Sequence, residues 1–228
     1  MRALLSELSW PEVGERAAAG AILAIPLGST EQHGPHLPLS TDTDVAVALC
    51  ARLAQQRADV LVAPPVPYGS SGEHAGFAGT LSIGQAATEL LVLELVRSAA
   101  DTFAHVLLVS AHGGNAEPVG RAVTTLHAEG RDVLLYQPVW DGDAHAGRPE
   151  TSMLLYLHPW LVAVERSAAG STRPLAEILP DLRAGGVRAV SRNGVLGDPA
   201  GASADEGRIL VDELAAQLHE RVVAWRRQ

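Results

Sequence analysis

The chain has 228 residues, 47% of them hydrophobic and 19% charged, which suits one domain and excludes a mainly disordered state. The formal net charge is −9, and every basic residue is an arginine. An acidic chain with no basic patch argues against nucleic-acid partners, and the lack of lysine excludes Schiff-base chemistry and a P-loop. No apolar run reaches the length of a membrane span, and residues 1–7 lack the apolar core of a signal peptide. The expectation is a cytoplasmic protein without membrane partners.

Ser9-Trp10-Pro11-Glu12 predicts a helix start, with Ser9 as N-cap and Pro11 in the first turn. Residues 21–27 form a short apolar run before Gly28 and read as a buried strand. The polar stretch 29–43 leads into a helix over 44–57, with Val45, Ala48, Leu49 and Leu53 on one face. A second strand is predicted over 60–66, closed by Pro64, Pro65 and Pro67. Tyr68 to Thr80 follow as a Gly-rich loop, long enough to suggest a functional or mobile segment. An amphipathic helix over 85–103 precedes a strand over 105–110, a helix over 115–129 and a strand over 132–137. A short helix over 151–157 and a long C-terminal helix over 204–227 complete the pattern; residues 174–198 are weakly periodic and receive no element. Strands alternating with helices imply parallel pairing and a sheet covered on both faces. The fold expected is α/β, a three-layer α/β/α arrangement with a mostly parallel central sheet, forming a single domain over 1–228. Cys50 reads as a buried thiol, and no disulfide framework exists.

The polar residues gather at the predicted strand ends, where open α/β sheets bind ligands. Glu31 and His33 follow the first strand with one residue between them, so in extended chain they point the same way. Asp42 comes after a Pro- and Gly-rich turn that can fold back to the same place. Glu, His and Asp together suit Zn²⁺, Fe²⁺ or Mn²⁺; a polar surface loop with capping acids is the alternative. After the third strand, His112-Gly113-Gly114-Asn115 lets backbone approach a ligand closely, or is a simple turn with Asn115 as N-cap. After the fourth strand come His145 and Glu150, the latter also suited to a helix first turn. Three such clusters at three strand ends favour one shared site. No G-x-G-x-x-G or Walker A pattern supports a nucleotide.

The run Gly28 to Leu39 with Thr41-Asp42 resembles the creatininase family signature. So do Ser71-Gly72-Glu73-His74, Phe77-Ala78-Gly79-Thr80, His112-Gly113-Gly114-Asn115 and His145-Ala146-Gly147 with Glu150-Thr151-Ser152. The resemblance implies a creatininase-like fold and two divalent metal ions, Fe²⁺ or Zn²⁺ with Mn²⁺ as a third choice. Glu31, Asp42 and His112 match the ligands of one metal; His33 and Asp42 match those of the second, with Asp42 bridging. Creatininase has a glutamate two residues after the histidine matching His112, where this chain has Gly114; Glu150 is the natural replacement. Such a site would activate a water near neutral pH and polarise an amide carbonyl. His145 and Glu150 are the expected catalytic residues, His145 as the acid that protonates the leaving nitrogen. Glu73, His74, Trp140 and Arg148 are candidates for substrate binding, Arg148 through a bidentate contact with a carboxylate.

In the last third, Leu179-Pro180, Gly185-Gly186-Val187 and Ser191 to Pro199 resemble the family members that mature a ribosomally made peptide into a redox cofactor. That resemblance implies a modified precursor peptide as substrate, release of its C-terminal Val-Tyr-derived unit by amide hydrolysis, and a homo-oligomer. Two rivals remain at this point: an amidase acting on a small cyclic or formyl amide, and an inactive metal-bound subunit that presents the peptide.

Overall fold

The structure is a computed structural model that describes residues 2–227. Four strands form one sheet in the order β2-β1-β3-β4, all parallel: β1 (Ile22–Leu27), β2 (Val60–Val62), β3 (His105–Ser110) and β4 (Val133–Tyr136). Successive side chains of β1 point to opposite faces. Ile22 and Ala24 join a core with Val45, Leu49 and Leu53 of α2 (Thr41–Gln56), Met153 and Leu154 of α5 (Arg148–Leu157), and Leu214 and Leu218 of α8 (Ala204–Trp225). Leu23, Ile25 and Leu27 join a second core with Val92 and Val96 of α3 (Gly84–Ala99) and Val119, Val123 and Leu126 of α4 (Ala116–Ala128). The three-layer α/β/α architecture follows from this two-sided burial.

The predicted elements recur with shifted ends. α1 (Trp10–Ala18) starts where expected, with the Glu12 carboxylate accepting the Ser9 N–H at 2.8 Å. α2 begins three residues before the prediction, so Asp42 sits in its first helical turn and not in a loop. β2 ends at Val62 and leaves only a bridge between Leu27 and Val66 beyond it, because the prolines after Ala63 carry no N–H for the ladder. Asn115 precedes α4, yet its side chain does not cap it: Oδ1 accepts the Ser70 N–H and Nδ2 donates to Gly28 O, both at 3.0 Å. Asn115 therefore ties the β1 end to the long loop. The weakly periodic stretch folds as α6 (Leu175–Gly185) and α7 (Val187–Val190), which pack on a 3-10 turn at Gly72–His74. Cys50 is buried and free, and burial pushes its thiol pKa up. Among the described residues, no helix is long and apolar enough to cross a membrane.

Candidate metal centre

β1 and β3 end side by side, with Leu27 opposite Ser110, so the loops beyond them share one edge of the sheet. Glu31 and His33 lie beyond β1, and His112 lies beyond β3. Asp42 arrives from α2, whose first turn sits directly on the β1 end. Gly28 makes that approach possible, since a Cβ there would stand 2.5 Å from the Thr43 N and Cα atoms. His145 lies between β4 and α5, and Glu150 is in the first turn of α5. Between them Ala146, fully buried, adopts a left-handed conformation with φ 52°, and its N–H donates to Glu150 Oε2 at 2.5 Å. Such strain persists where surrounding contacts over-determine it.

Asp42 is the centre of the arrangement. Its Oδ1 lies 3.2 Å from His33 Nε2, its Oδ2 lies 3.1 Å from His112 Nδ1, and Ser29 Oγ donates to Oδ2 at 2.6 Å. Ligand atoms of Glu31, Asp42 and His112 lie within 4.8 Å of one another, and so do those of His33, Asp42 and Glu150. Asp42 belongs to both groups. A third group, Glu31, His33 and His145, meets the same limit.

Three carboxylates are thus buried together, with Glu31 1%, Asp42 4% and Glu150 5% exposed. Among the described residues, no arginine pairs with any of them; their only ion-pair partners are imidazoles. Burial opposes a charged His33, but Asp42, Glu150 and Glu31 outweigh it and push its pKa up to about 10. Burial likewise opposes a charged His112, and Asp42 and Glu31 raise it well above the ordinary imidazole value. For Asp42, burial works against ionisation, yet His33 and His112 hold the carboxyl well below the usual range. Glu150 goes the other way: burial pushes it up to about 7, against the pull of His33. Glu31 Oε2 is buried without a hydrogen-bond partner. Buried carboxylates that draw protons onto neighbouring imidazoles, and an orphaned oxygen among them, mark a site that demands cations. Oxygen and imidazole donors in this number fit Zn²⁺, Fe²⁺ or Mn²⁺.

The creatinine amidohydrolase family description matches residues 6–222 of the chain. The chain belongs to the creatininase family. Among its relatives, it is similar to the mycofactocin precursor peptide peptidase of Mycolicibacterium smegmatis, 48% identical over 90% of this chain and 85% of that protein. It is also similar to the creatinine amidohydrolase of Pseudomonas putida, at 31% identity over 71% of this chain and 74% of that protein. The fold superimposes on a solved structure described as creatininase Mn with a TM-score of 0.83, at 25% identity, covering 97% of this chain and 98% of that one.

Glu31, His33, Asp42, His112, His145 and Glu150, which the creatininase motifs single out, converge on this one centre. It floors a cavity of about 780 Å³ that Glu73, His74 and Trp140 also line. Arg148 is placed elsewhere. Its side chain is half exposed, and its Nε donates to Glu206 Oε2 at 2.9 Å, joining α5 to α8. The arginine that does line the cavity is Arg183, on α6. Sequence reasoning also passed over Gln32, although it stands between Glu31 and His33. Its backbone O lies 2.9 Å from His145 Nε2, and its Nε2 lies 2.8 Å from His74 Nδ1 and 3.1 Å from Gly194 O. His145 Nε2 also lies 3.0 Å from the Gln32 Nε2, but the two hydrogens of that amide are taken by His74 Nδ1 and Gly194 O, so the His145 Nε2 proton goes to the Gln32 carbonyl, which only accepts, and Nδ1 faces Glu31, 3.9 Å away.

Proposed function

We propose that the chain is a metal-dependent amide hydrolase that acts on the mycofactocin precursor peptide, releasing its modified C-terminal Val-Tyr-derived unit during redox-cofactor biosynthesis. The observation that carries this reading is the pair of ligand groups sharing Asp42 at the floor of an open cavity. Identity of 46–48% over 90% or more of this chain to mycofactocin precursor peptide peptidases supports the choice of substrate.

Glu31, Asp42 and His112 would hold one divalent cation, and His33, Asp42 and Glu150 the second, with Glu150 supplying the carboxylate that Gly114 lacks. Zn²⁺ and Fe²⁺ are the preferred ions, borderline acids suited to mixed imidazole and carboxylate donors, and Mn²⁺, a harder ion that favours the carboxylates, is the third. When bound, such ions lower the pKa of water and polarise an amide carbonyl. His145 is the proton carrier. Burial, and then His33, hold its pKa well below the ordinary value, so it is neutral at pH 7 with a free Nδ1 lone pair. It accepts the proton that water loses on attacking the amide carbonyl and delivers it to the leaving nitrogen as the carbon–nitrogen bond breaks. Gln32 holds the imidazole in the required tautomer through its backbone carbonyl.

The test is mass spectrometry of the modified precursor peptide after incubation with purified protein of known metal content, beside Asp42→Ala. Release of the C-terminal unit by the wild type and not by the variant is the expected result. An intact peptide in the presence of bound metal would overturn the substrate assignment and turn attention to small cyclic and formyl amides.

A further inference from the structure

The cavity above the metal centre has two unlike walls. One is the acid and imidazole floor; the other is α6. Leu175, Leu179 and Leu182 are four and three residues apart, so they share one face of that helix. All three line the cavity, together with Val187 of α7. Folding alone does not account for this edge. α6 is anchored by Ile178, which is 1% exposed and packs with Val187 and Leu196, whereas Leu175 is 49% and Leu179 36% exposed. The end of the helix lies close against the Gly72–His74 turn, since a Cβ on Gly186 would stand 2.6 Å from Glu73 O. Arg183, one turn on from Leu179, is the only cationic side chain among the lining residues other than imidazoles. It has no ion-pair partner among the described residues, while each arginine of α3, α4 and α5 has one.

An exposed aliphatic edge facing a catalytic floor is the usual form of a ligand wall, with a few charged groups fixing orientation. A free guanidinium in an otherwise acidic cavity suits a substrate carboxylate. We infer that α6 is the substrate-recognition wall of this enzyme: its leucine edge receives an aliphatic or aromatic side chain beside the scissile amide, and Arg183 binds a carboxylate of the same peptide. The inference rests on the peptidase reading above and names the residues that select the peptide. They act in binding, since the proton transfer belongs to His145 on the other wall.

Leu179→Asn and Arg183→Gln test this with the modified precursor peptide, in parallel with a version whose carboxylates are amidated. Both variants should keep the wild-type metal content, because neither residue belongs to any of the ligand groups. KM for the unaltered peptide should rise on the order of tenfold in each, with kcat changed little. Arg183→Gln and peptide amidation should not add, since both remove the same contact; Leu179→Asn and amidation should add. Wild-type cleavage with KM unaltered in both variants would overturn this inference alone. A wild type that leaves the peptide intact would overturn the substrate assignment and this inference with it.

Discussion

Glu73 occupies the space that a side chain on Gly114 would need. A Cβ built on Gly114 would overlap Glu73 Oε1 and Ser70 O, and would stand 2.5 Å from His112 Nε2. Glu73 Oε1 is itself 3.8 Å from His112 Nε2, and that nitrogen is 2.8 Å from Ser70 O. The long loop after β2 has closed into the place where creatininase carries a glutamate. Gly114→Ala therefore forces the Ser70 carbonyl away from His112. A fall in stability of about 1–3 kcal/mol is expected from the overpacking, with peptide cleavage reduced at least tenfold. Urea unfolding and kcat/KM read the two effects separately.

Ser29 is buried, and its hydroxyl donates to Asp42 Oδ2 at 2.6 Å. It orients the shared carboxylate without reaching the cavity. Ser29→Ala should weaken metal binding by about 10–100-fold, the usual effect of removing such a partner. Competition with a chelator of known affinity would measure this, and an unchanged affinity would remove Ser29 from the support of the site.

Ligand atoms of His145, Glu31 and His33 lie within 4.8 Å of one another, as a metal group would, whereas the function proposed above makes His145 a proton carrier. His145→Gln separates the two. A loss in kcat of about 10²–10⁴-fold is expected from a missing proton carrier, with two metals per chain retained by elemental analysis. A variant that holds only one metal would make His145 a ligand.

His36 makes the fold sensitive to acid. It is 1% exposed, its Nε2 lies 2.9 Å from Thr151 Oγ1, and its Nδ1 is buried without a partner. The Thr151 hydroxyl is committed as a donor to Gly147 O at 2.7 Å, so the His36 proton sits on Nε2 and a second proton would be stranded on Nδ1. Burial, and then His33, lower its pKa to about 4. A depressed imidazole favours the neutral form when folded. Its stability contribution is present above the unfolded value near 6.5 and is lost as pH falls toward 4. The loss is about 1–3 kcal/mol. Between pH 7 and pH 4.5, Tm should fall less in His36→Gln than in the wild type; equal falls would exclude His36 as the cause.

Arg148 and Glu206 form an exposed pair, with side chains 51% and 32% accessible. Arg148→Gln should cost less than about 1 kcal/mol and leave KM for the peptide unaltered. A raised KM would return Arg148 to the substrate site.

The alternation of short apolar runs with amphipathic segments was enough for the layers, because burial on both faces of a parallel sheet writes itself into composition. The acid and imidazole clusters were legible for a similar reason: Glu31, His33 and His112 directly follow strands, and strand ends share an edge. Asp42, His145 and Glu150 were legible as types in a motif, but which oxygen meets which nitrogen depends on α2 sitting on Gly28 and on the left-handed turn at Ala146. Those are contacts between segments far apart in sequence, and no local pattern contains them. Arg148 and Arg183 show the limit most clearly. Both are arginines near glycines, and only the packing of α5 on α8 and of α6 over the cavity decides that one ties two helices together and the other lines the cavity. The α6 wall has no sequence signal, since the helix serves two surfaces at once, Ile178 a small core and its leucines an open cavity, and so leaves no single clean period.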